Sequence, residues 1–186
     1  MSTRHLKSKV SVVPLKSLDG PVLERLATEV SGLLLATGQA AFVGEPAEML
    51  ATALADSARH PFAILASPSG SHADKVVGMG VLHVGVATEA GWQDADDAVL
   101  LRGFLIDRSC QGLGHGAGAT LAAVNQAADL VRRFGLPATG VVLSVNERNL
   151  AGRAAYLKAG FMDRGQYLGG RSGPQRTLHL PFVNKG

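Results

Sequence analysis

A glycine-rich loop between an apolar run and a long helix constrains the fold more than any other feature of the sequence. The apolar run covers residues 98–107, and an alanine-rich stretch with helical character continues to about Phe134, where Gly135 ends it. Four glycines stand at alternate positions between the two: Gly112, Gly114, Gly116 and Gly118. A β-branched run at 140–145 follows, so the centre of the chain is predicted to alternate strand, helix and strand.

The segments on either side of this centre predict further helices and strands. Apolar residues at helical spacing predict a helix from about Gly20 to Leu34 with Val22 in its buried stripe, and a second helix at about 46–59 that His60-Pro61 ends. Further strands are predicted at 10–13, 62–66, 75–87, 161–168 and 175–182, with a hairpin turn at 67–71. Consecutive strands without a helix between them pair antiparallel. We therefore expect a single α/β domain over residues 1–186, with a mixed, mostly antiparallel sheet of about six to seven strands and helices on both faces.

The composition narrows the functional classes. The chain has 186 residues, 46% apolar and 18% charged, and a formal net charge of +3 that is too small to indicate a dedicated nucleic-acid surface. Its one cysteine, Cys110, favours a reducing compartment and excludes a cysteine-based metal site, and the six histidines show no metal-ligand spacing, so we expect no metal. No apolar stretch reaches the roughly 18–20 residues of a membrane span, and no targeting segment is apparent. We expect a cytoplasmic protein with neither a membrane nor a nucleic-acid partner.

The glycine loop is a candidate phosphate-binding site. The first amides of a helix have no partner within the helix and lie at its positive end. Where side chains are missing, a phosphate can come close enough to accept hydrogen bonds from several of these amides. The loop therefore predicts a pyrophosphate site that needs neither a metal nor a lysine. The alternative is a tight turn whose small residues serve packing alone.

Two other phosphate loops can be compared with this segment. A P-loop requires Lys-Ser/Thr after its last glycine, where this chain has Ala117-Gly118, so that interpretation fails. A dinucleotide fingerprint could use Gly112, Gly114 and Ala117, with Glu147 on the ribose. The loop lies in the middle of the chain, however, which leaves too little sequence after it for the second half of a doubly wound fold. A small NAD-binding protein of the Rossmann type remains the alternative.

Two ordered motifs resemble those of the GNAT superfamily of N-acetyltransferases. The segment Gln111-Gly112-Leu113-Gly114-His115-Gly116 resembles the Gln/Arg-x-x-Gly-x-Gly/Ala signature. The segment Val145-Asn146-Glu147-Arg148-Asn149, followed by Tyr156-x-Lys158-x-Gly160-Phe161, is similar to the second motif. Gly152 and Ala155 depart from the usual alanine and leucine. The resemblance covers roughly residues 100–161 and implies a GNAT-like domain that uses acetyl-CoA as co-substrate.

The resemblance also implies roles for individual residues. The loop residues would bind the pyrophosphate of coenzyme A: Gln111, Gly112, Leu113, Gly114, His115, Gly116 and Ala117. The main chain of Phe104, Leu105 and Ile106 would pair with the pantetheine arm. One of these amides, at Leu105, would polarise the thioester carbonyl. Asn149 would bind pantetheine or a water, although it is also a good helix cap, and Tyr156 would be the general acid, although it could be an ordinary core aromatic.

The sequence predicts the chemical identity of the acceptor less closely than that of the cofactor. The resemblance implies direct attack on the thioester by a small primary amine, with a weaker likeness to enzymes that acetylate polyamines. Acetylation of a protein or peptide amine and a non-catalytic acyl-CoA sensor stay open, and a homodimer is common in the family. Candidate groups for the acceptor side are Glu45, Glu48 and His83. The acidic loop at 89–97 around Trp92 could attract a cationic amine, or could be an ordinary solvated loop.

Overall fold

Seven strands form one sheet in the computed structural model, which describes residues 9–67 and 74–183. The strands are β1 (Val10–Pro14), β2 (Arg59–Ala66), β3 (Lys75–His83), β4 (Ala98–Ile106), β5 (Gly140–Asn146), β6 (Met162–Tyr167) and β7 (Gln175–Pro181). The helices are α1 (Gly20–Ser31), α2 (Pro46–Ala55), α3 (His115–Phe134) and α4 (Leu150–Lys158). The strand order is β1-β2-β3-β4-β5-β7-β6. Neighbouring strands run antiparallel except for β4 and β5, which confirms the predicted mixed sheet.

Apolar packing places helices on both faces of this sheet. On one face, α3 buries Ala119, Ala123 and Ala127 completely, and these small side chains let the helix lie close to the strands. On the other face, α1 and α2 pack around Val30 and Leu50. Two separate apolar clusters therefore hold the sheet between two helical layers, as predicted.

The parallel pair at the centre of the sheet separates soon after it forms. β4 and β5 pair over three residues, and the pairing ends where Leu100 lies opposite Val142. β4 then contains one extra residue relative to β3 near Gly103, whose φ of 56° is in the left-handed region that glycine adopts without strain. A Cβ on Gly103 would also lie 3.0 Å from the Met49 sulfur. The bulge and the end of pairing together open a gap between the two strands.

Several predicted boundaries differ from those observed. α1 ends at Ser31, and both Val22 and Leu34, predicted in its buried stripe, are exposed. α2 ends at Ala55, and residues 59–61 belong to β2 instead of the helix. The reason is tertiary: Arg59 pairs with His83 of β3, an interaction that local helical spacing cannot reveal.

The hairpin between β2 and β3 also differs in part from the prediction. β3 ends at His83 and is followed by a short 3₁₀ turn (Ala87–Ala90), whereas the predicted strand continued to Ala87. The predicted turn at 67–71 lies outside the described residues except for Ser67. None of the helices within 9–67 and 74–183 is long and apolar enough to span a membrane.

Candidate active site

A cleft of about 960 Å³ lies where β4 and β5 separate. Phe104 and Tyr156, which belong to the cluster on the α3 face, line it together with Asn149. Met49 and Val81, from the cluster on the α1 and α2 face, line it as well. The cleft therefore crosses the sheet from one face to the other, and two molecules could meet in it from opposite sides.

The four glycines of the loop before α3 have two different structural roles. Gly112 and Gly114 have φ values of 76° and 80°, and a Cβ on either would meet nothing within 4 Å. These two glycines allow a left-handed turn that faces open space. A Cβ on Gly116 would instead lie 3.6 Å from the Ala155 Cβ, and one on Gly118 would lie 3.7 Å from the Val10 Cβ, which are ordinary contact distances. The first pair of glycines therefore faces open space, and the second pair faces protein atoms.

The main-chain amides of this loop are free to bind a ligand. Among the hydrogen bonds outside helices and strands, none between described residues is donated by the amides of residues 111–114. The amides of residues 115–117 belong to the first turn of α3, where an α-helix offers them no partner. Gly114 is the N-cap of the twenty-residue α3, and no acidic side chain occupies the first turn of that helix. The loop therefore combines several unpaired donors with the positive end of a long helix, the arrangement that binds phosphate elsewhere.

Within the loop, the side chain of Gln111 has a structural role. Its Nε2 donates to the Ile106 carbonyl oxygen at 3.0 Å and to Gln39 Oε1 at 3.1 Å. These bonds tie the loop to the end of β4 and to the connection between α1 and α2. Of the other predicted loop residues, Leu113 is exposed and the His115 side chain is buried.

The main chain at the end of β4 corrects one prediction. The Asp107 amide donates to the Val77 carbonyl at 2.8 Å, and Leu105 lies opposite Met79 of β3. Because the polar groups of alternate residues point to opposite sides of a strand, those of Leu105 face β3 and not the cleft. The predicted thioester contact of Leu105 is therefore wrong. The main chains of its neighbours, Phe104 and Ile106, face the opening.

Asn149 caps α4 and lines the cleft at the same time. Its Oδ1 accepts a hydrogen bond from the Gly152 amide at 3.0 Å, the geometry of an N-cap. A Cβ on Gly152 would lie 2.5 Å from the Asn149 Nδ2, so the departure from alanine at 152 makes room for this cap. The Asn149 amide group is thus fixed at the cleft wall.

Tyr156 presents its ring to the cleft between two phenylalanines. The ring centroids of Phe104 and Phe161 each lie 6.0 Å from that of Tyr156. Burial raises the pKa of the phenol above its ordinary value, so the hydroxyl stays protonated at neutral pH. None of the hydrogen bonds within the described part of the chain involves this hydroxyl, which leaves it available to a ligand. Tyr156 is both a packed aromatic and a free proton donor.

The predicted acceptor-side residues lie elsewhere than expected. Glu45 and Glu48 are exposed at the start of α2, and neither lines the cleft. His83 is buried and does not line it either, because β3 turns this side chain toward Arg102 and Asp56. None of the three lines the cleft, and their roles on the acceptor side stay predictions.

In the acidic loop, Trp92 is also structural. It stacks on His179 with centroids 4.2 Å apart and donates to Asp97. Of the four acidic residues in this loop, Glu89 lines the cleft.

Sequence reasoning missed three arginines that line the cleft. They are Arg59, Arg102 and Arg171. Arg102 carried a signal, since it is the one charged residue within the apolar run at 98–106. The other two carried none, because only the folded chain brings the start of β2 and the loop after β6 to the same place. Three or more His, Cys, Asp or Glu side chains in a metal-binding arrangement are not found among the described residues.

Comparisons with known proteins agree with this geometry. No protein-family model matches the chain. A Bacillus subtilis protein, the uncharacterized N-acetyltransferase YbbJ, is 28% identical over 151 residues, which are 81% of this chain and 88% of that protein.

Solved structures extend the likeness to the whole fold. Spermidine N-acetyltransferase from Vibrio cholerae, in complex with CoA and spermine, matches with a TM-score of 0.61 at 13% identity, over 93% of this chain and 95% of that one. Aminoglycoside acetyltransferase AAC(6')-Ib, in complex with coenzyme A, matches with a TM-score of 0.62 at 18% identity, over 92% and 94%. At these identities the likeness is one of fold. The chain has the fold of these acetyltransferases, and its two ordered motifs resemble those of the GNAT superfamily.

The GNAT fold excludes the dinucleotide-binding alternative. A Rossmann domain requires a doubly wound parallel sheet, whereas the sheet described here has β4 and β5 as its one parallel pair. Glu147, which that alternative placed on a ribose, accepts a hydrogen bond from Gln166 Nε2 at 3.0 Å and lies 4.0 Å from Arg176 Nη1. The acidic side chain is engaged with β6 and β7.

Proposed function

We propose that this protein is a member of the GNAT superfamily and transfers an acetyl group from acetyl-CoA to the primary amine of a small molecule, by direct attack of the amine in a ternary complex. The observation that carries the proposal is the cleft through the sheet, lined by Phe104, Asn149 and Tyr156. The loop at the start of α3 is linked to this cleft through Gly116, which faces Ala155, the neighbour of Tyr156 in α4. Polyamines are among the acceptors that this proposal admits. The charges that line the cleft determine which of these acceptors fits.

The loop before α3 binds the pyrophosphate in this proposal. Gly112 and Gly114 leave open space above the amides, so phosphate oxygens can approach to hydrogen-bond distance. Each charge-assisted hydrogen bond of this kind contributes roughly 1.5–3 kcal/mol. Gly116 and Ala117 are predicted to donate their amides to the same phosphates. Gln111 contributes by holding the loop in place through its bond to Ile106.

The exposed edge of β4 orients the thioester. Beyond Leu100 none of the described strands pairs with the β5 side of β4, so an amide-rich arm can add there as a short strand. The Phe104 amide then takes the oxyanion role that the sequence placed at Leu105. Asn149 has its Nδ2 available to the same arm, since its Oδ1 is already committed to the helix cap.

Tyr156 supplies the proton for the leaving thiolate. The amine nitrogen bonds to the carbonyl carbon, the carbon–sulfur bond breaks, and the sulfur takes the phenolic proton. The nitrogen loses a proton as the amide forms, and this proton returns to the phenolate through water in the cleft. Burial raises the pKa of Tyr156, and it raises the pKa of a thiol in the same water-poor site as well, so proton transfer between the two is not opposed by the environment. The proton that the acceptor ammonium must lose before attack leaves to water in the cleft.

The variant Tyr156→Phe tests the proposal, because it removes the hydroxyl and keeps the ring between Phe104 and Phe161. We expect kcat to fall by about 10²–10⁴-fold while the Kd for acetyl-CoA changes little. Free-thiol release measures the rate and calorimetry measures the affinity. An unchanged kcat would remove Tyr156 from the acid role. Absence of acetyl-CoA binding to the wild-type protein at about millimolar cofactor would eliminate the proposed function as a whole.

A further inference from the structure

The charged side chains that line the cleft are mostly cationic. Two of them lie on its α2 side, since Arg59 bonds to Asp56 at the end of α2 and Arg102 contacts His83, which lies 3.9 Å from Asp56. Arg59, Arg102 and Arg171 line the cleft, and Glu89 is the one carboxylate among the described lining residues. That carboxylate is already engaged, since Glu89 Oε2 accepts a hydrogen bond from Arg102 Nη1 at 2.7 Å. An acceptor entering from this side therefore meets guanidinium groups and no free carboxylate.

Arg102 is held in place from behind. Its Nη1 also lies 3.2 Å from Nδ1 of His83, a side chain that is only 5% exposed. A guanidinium can only donate, so the His83 Nδ1 accepts and carries no proton. The Nε and Nη2 groups of Arg102 have no protein acceptor within the described part of the chain. Arg102 is thus a fixed cation with donors left for a ligand.

The other two arginines also keep donors free. Arg59 uses its Nε to reach Asp56 Oδ2 at 3.1 Å, and its two terminal nitrogens have no acceptor among residues 9–67 and 74–183. Arg171, on the loop between β6 and β7, forms no ion pair with any described residue. Planar guanidinium groups suit carboxylates and phosphates, which accept two hydrogen bonds at once.

We propose that the acceptor carries an anionic group, a carboxylate or a phosphate, in addition to its primary amine, and that Arg102 with Arg59 and Arg171 binds this group. The inference rests on the proposed function and specifies its acceptor. An acceptor with a second ammonium group would have to displace Arg102 from Glu89 before it found a carboxylate. An acceptor with an anionic tail finds unoccupied donors.

Four amines of similar length test this assignment with the full-length protein and acetyl-CoA. Butylamine has a neutral tail, 1,4-diaminobutane a cationic one, 4-aminobutanoate a carboxylate and 3-aminopropyl phosphate a phosphate. We expect kcat/KM, read from free-thiol release, to be at least about tenfold higher for an anionic amine than for 1,4-diaminobutane. The two anionic amines distinguish a carboxylate from a phosphate acceptor. Equal or better use of 1,4-diaminobutane would overturn the proposal.

Variants of the cleft arginines show which guanidinium groups cause the preference for an anionic acceptor. In Arg102→Gln we expect the KM of the anionic amine to rise about tenfold, that of butylamine to stay unchanged, and use of 1,4-diaminobutane to improve because Glu89 is released. Arg171→Gln, on an exposed loop, gives the same test should Arg102→Gln not fold. Arg132→Gln is the matched control, since Arg132 is exposed near the far end of α3 and pairs with Asp129. Unchanged preferences in both cleft variants, or a change confined to the KM of acetyl-CoA, would contradict the assignment.

A binding measurement separates this inference from the proposed function. If the protein binds coenzyme A but releases no thiol with any amine, catalysis fails as a proposal. Calorimetry then measures how tightly each amine binds to the coenzyme A-loaded protein, and this identifies the acceptor class without any need for turnover. Tighter binding of 4-aminobutanoate or 3-aminopropyl phosphate than of 1,4-diaminobutane supports the inference, and the reverse order rejects it.

Discussion

The variant Gly114→Ala, together with a control variant, distinguishes the loss of coenzyme A binding from the effect of backbone strain. Gly114 has a φ of 80°, and a Cβ there would meet no protein atom within 4 Å. An alanine in this left-handed conformation costs roughly 1–2 kcal/mol of folding stability, which lowers the Tm of a chain of this size by about 2–8 °C. The same Cβ stands in the space that the phosphate oxygens require. Loss of one charge-assisted hydrogen bond corresponds to roughly a 10–100-fold rise in the Kd for coenzyme A.

Gly135 provides the matched control at the other end of the same helix. Its φ is 62°, and a Cβ there also meets nothing within 4 Å, so Gly135→Ala carries a similar strain. It lies far from the cleft, at the C-terminus of α3. We therefore expect the two variants to lose similar stability in thermal melts, and only Gly114→Ala to lose coenzyme A affinity in calorimetry. Equal affinities in the two variants would refute the argument that the turn at Gly114 binds phosphate.

Two further predictions concern pH. Asp163 accepts hydrogen bonds from Arg176, the Gly165 amide and Arg153, chiefly Arg176, and these lower its pKa to about 2. The stabilisation that results is complete above pH 3.8 and disappears toward pH 2. Asp163→Asn should therefore lower the urea midpoint at pH 7 and match the wild type near pH 2, and an equal gap at both pH values would reject this reasoning. Burial, with help from nearby arginines, lowers the pKa of His83, so the unfolded chain binds a proton first and stability falls as the pH drops below about 6.5. His83→Gln should reduce the slope of unfolding free energy between pH 6.5 and 5.5, and an unchanged slope would contradict the buried neutral state.

The glycine loop and the second motif could be predicted from sequence because their geometry is local. A left-handed turn before a helix requires glycine, and a helix cap requires a side chain such as Asn149, whatever the rest of the chain does. The strand–helix–strand centre and the antiparallel flanks followed from the order of apolar runs in the same way. These features depend on neighbours in the sequence.

Features that depend on distant partners could not be predicted in the same way. The direction of the Leu105 main chain follows from the bulge at Gly103 and from the pairing with β3, and a shift of one residue reverses it. The end of α2 was missed because Arg59 is held in β2 by His83. The cationic wall of the cleft combines β2, β4 and the loop after β6, and its composition appears only in the folded chain.

Amide NMR of the ¹⁵N-labelled protein shows whether the amides at the start of α3 bind the diphosphate of coenzyme A. On addition of coenzyme A, the signals of Gly112, Gly114 and Gly116 should show the largest shifts, while Gly135 at the opposite end of the helix stays in place. Pantetheine without the phosphates should leave those three signals where they are. If saturating coenzyme A shifts the signals of other amides and leaves these three unchanged, the loop before α3 does not bind the diphosphate.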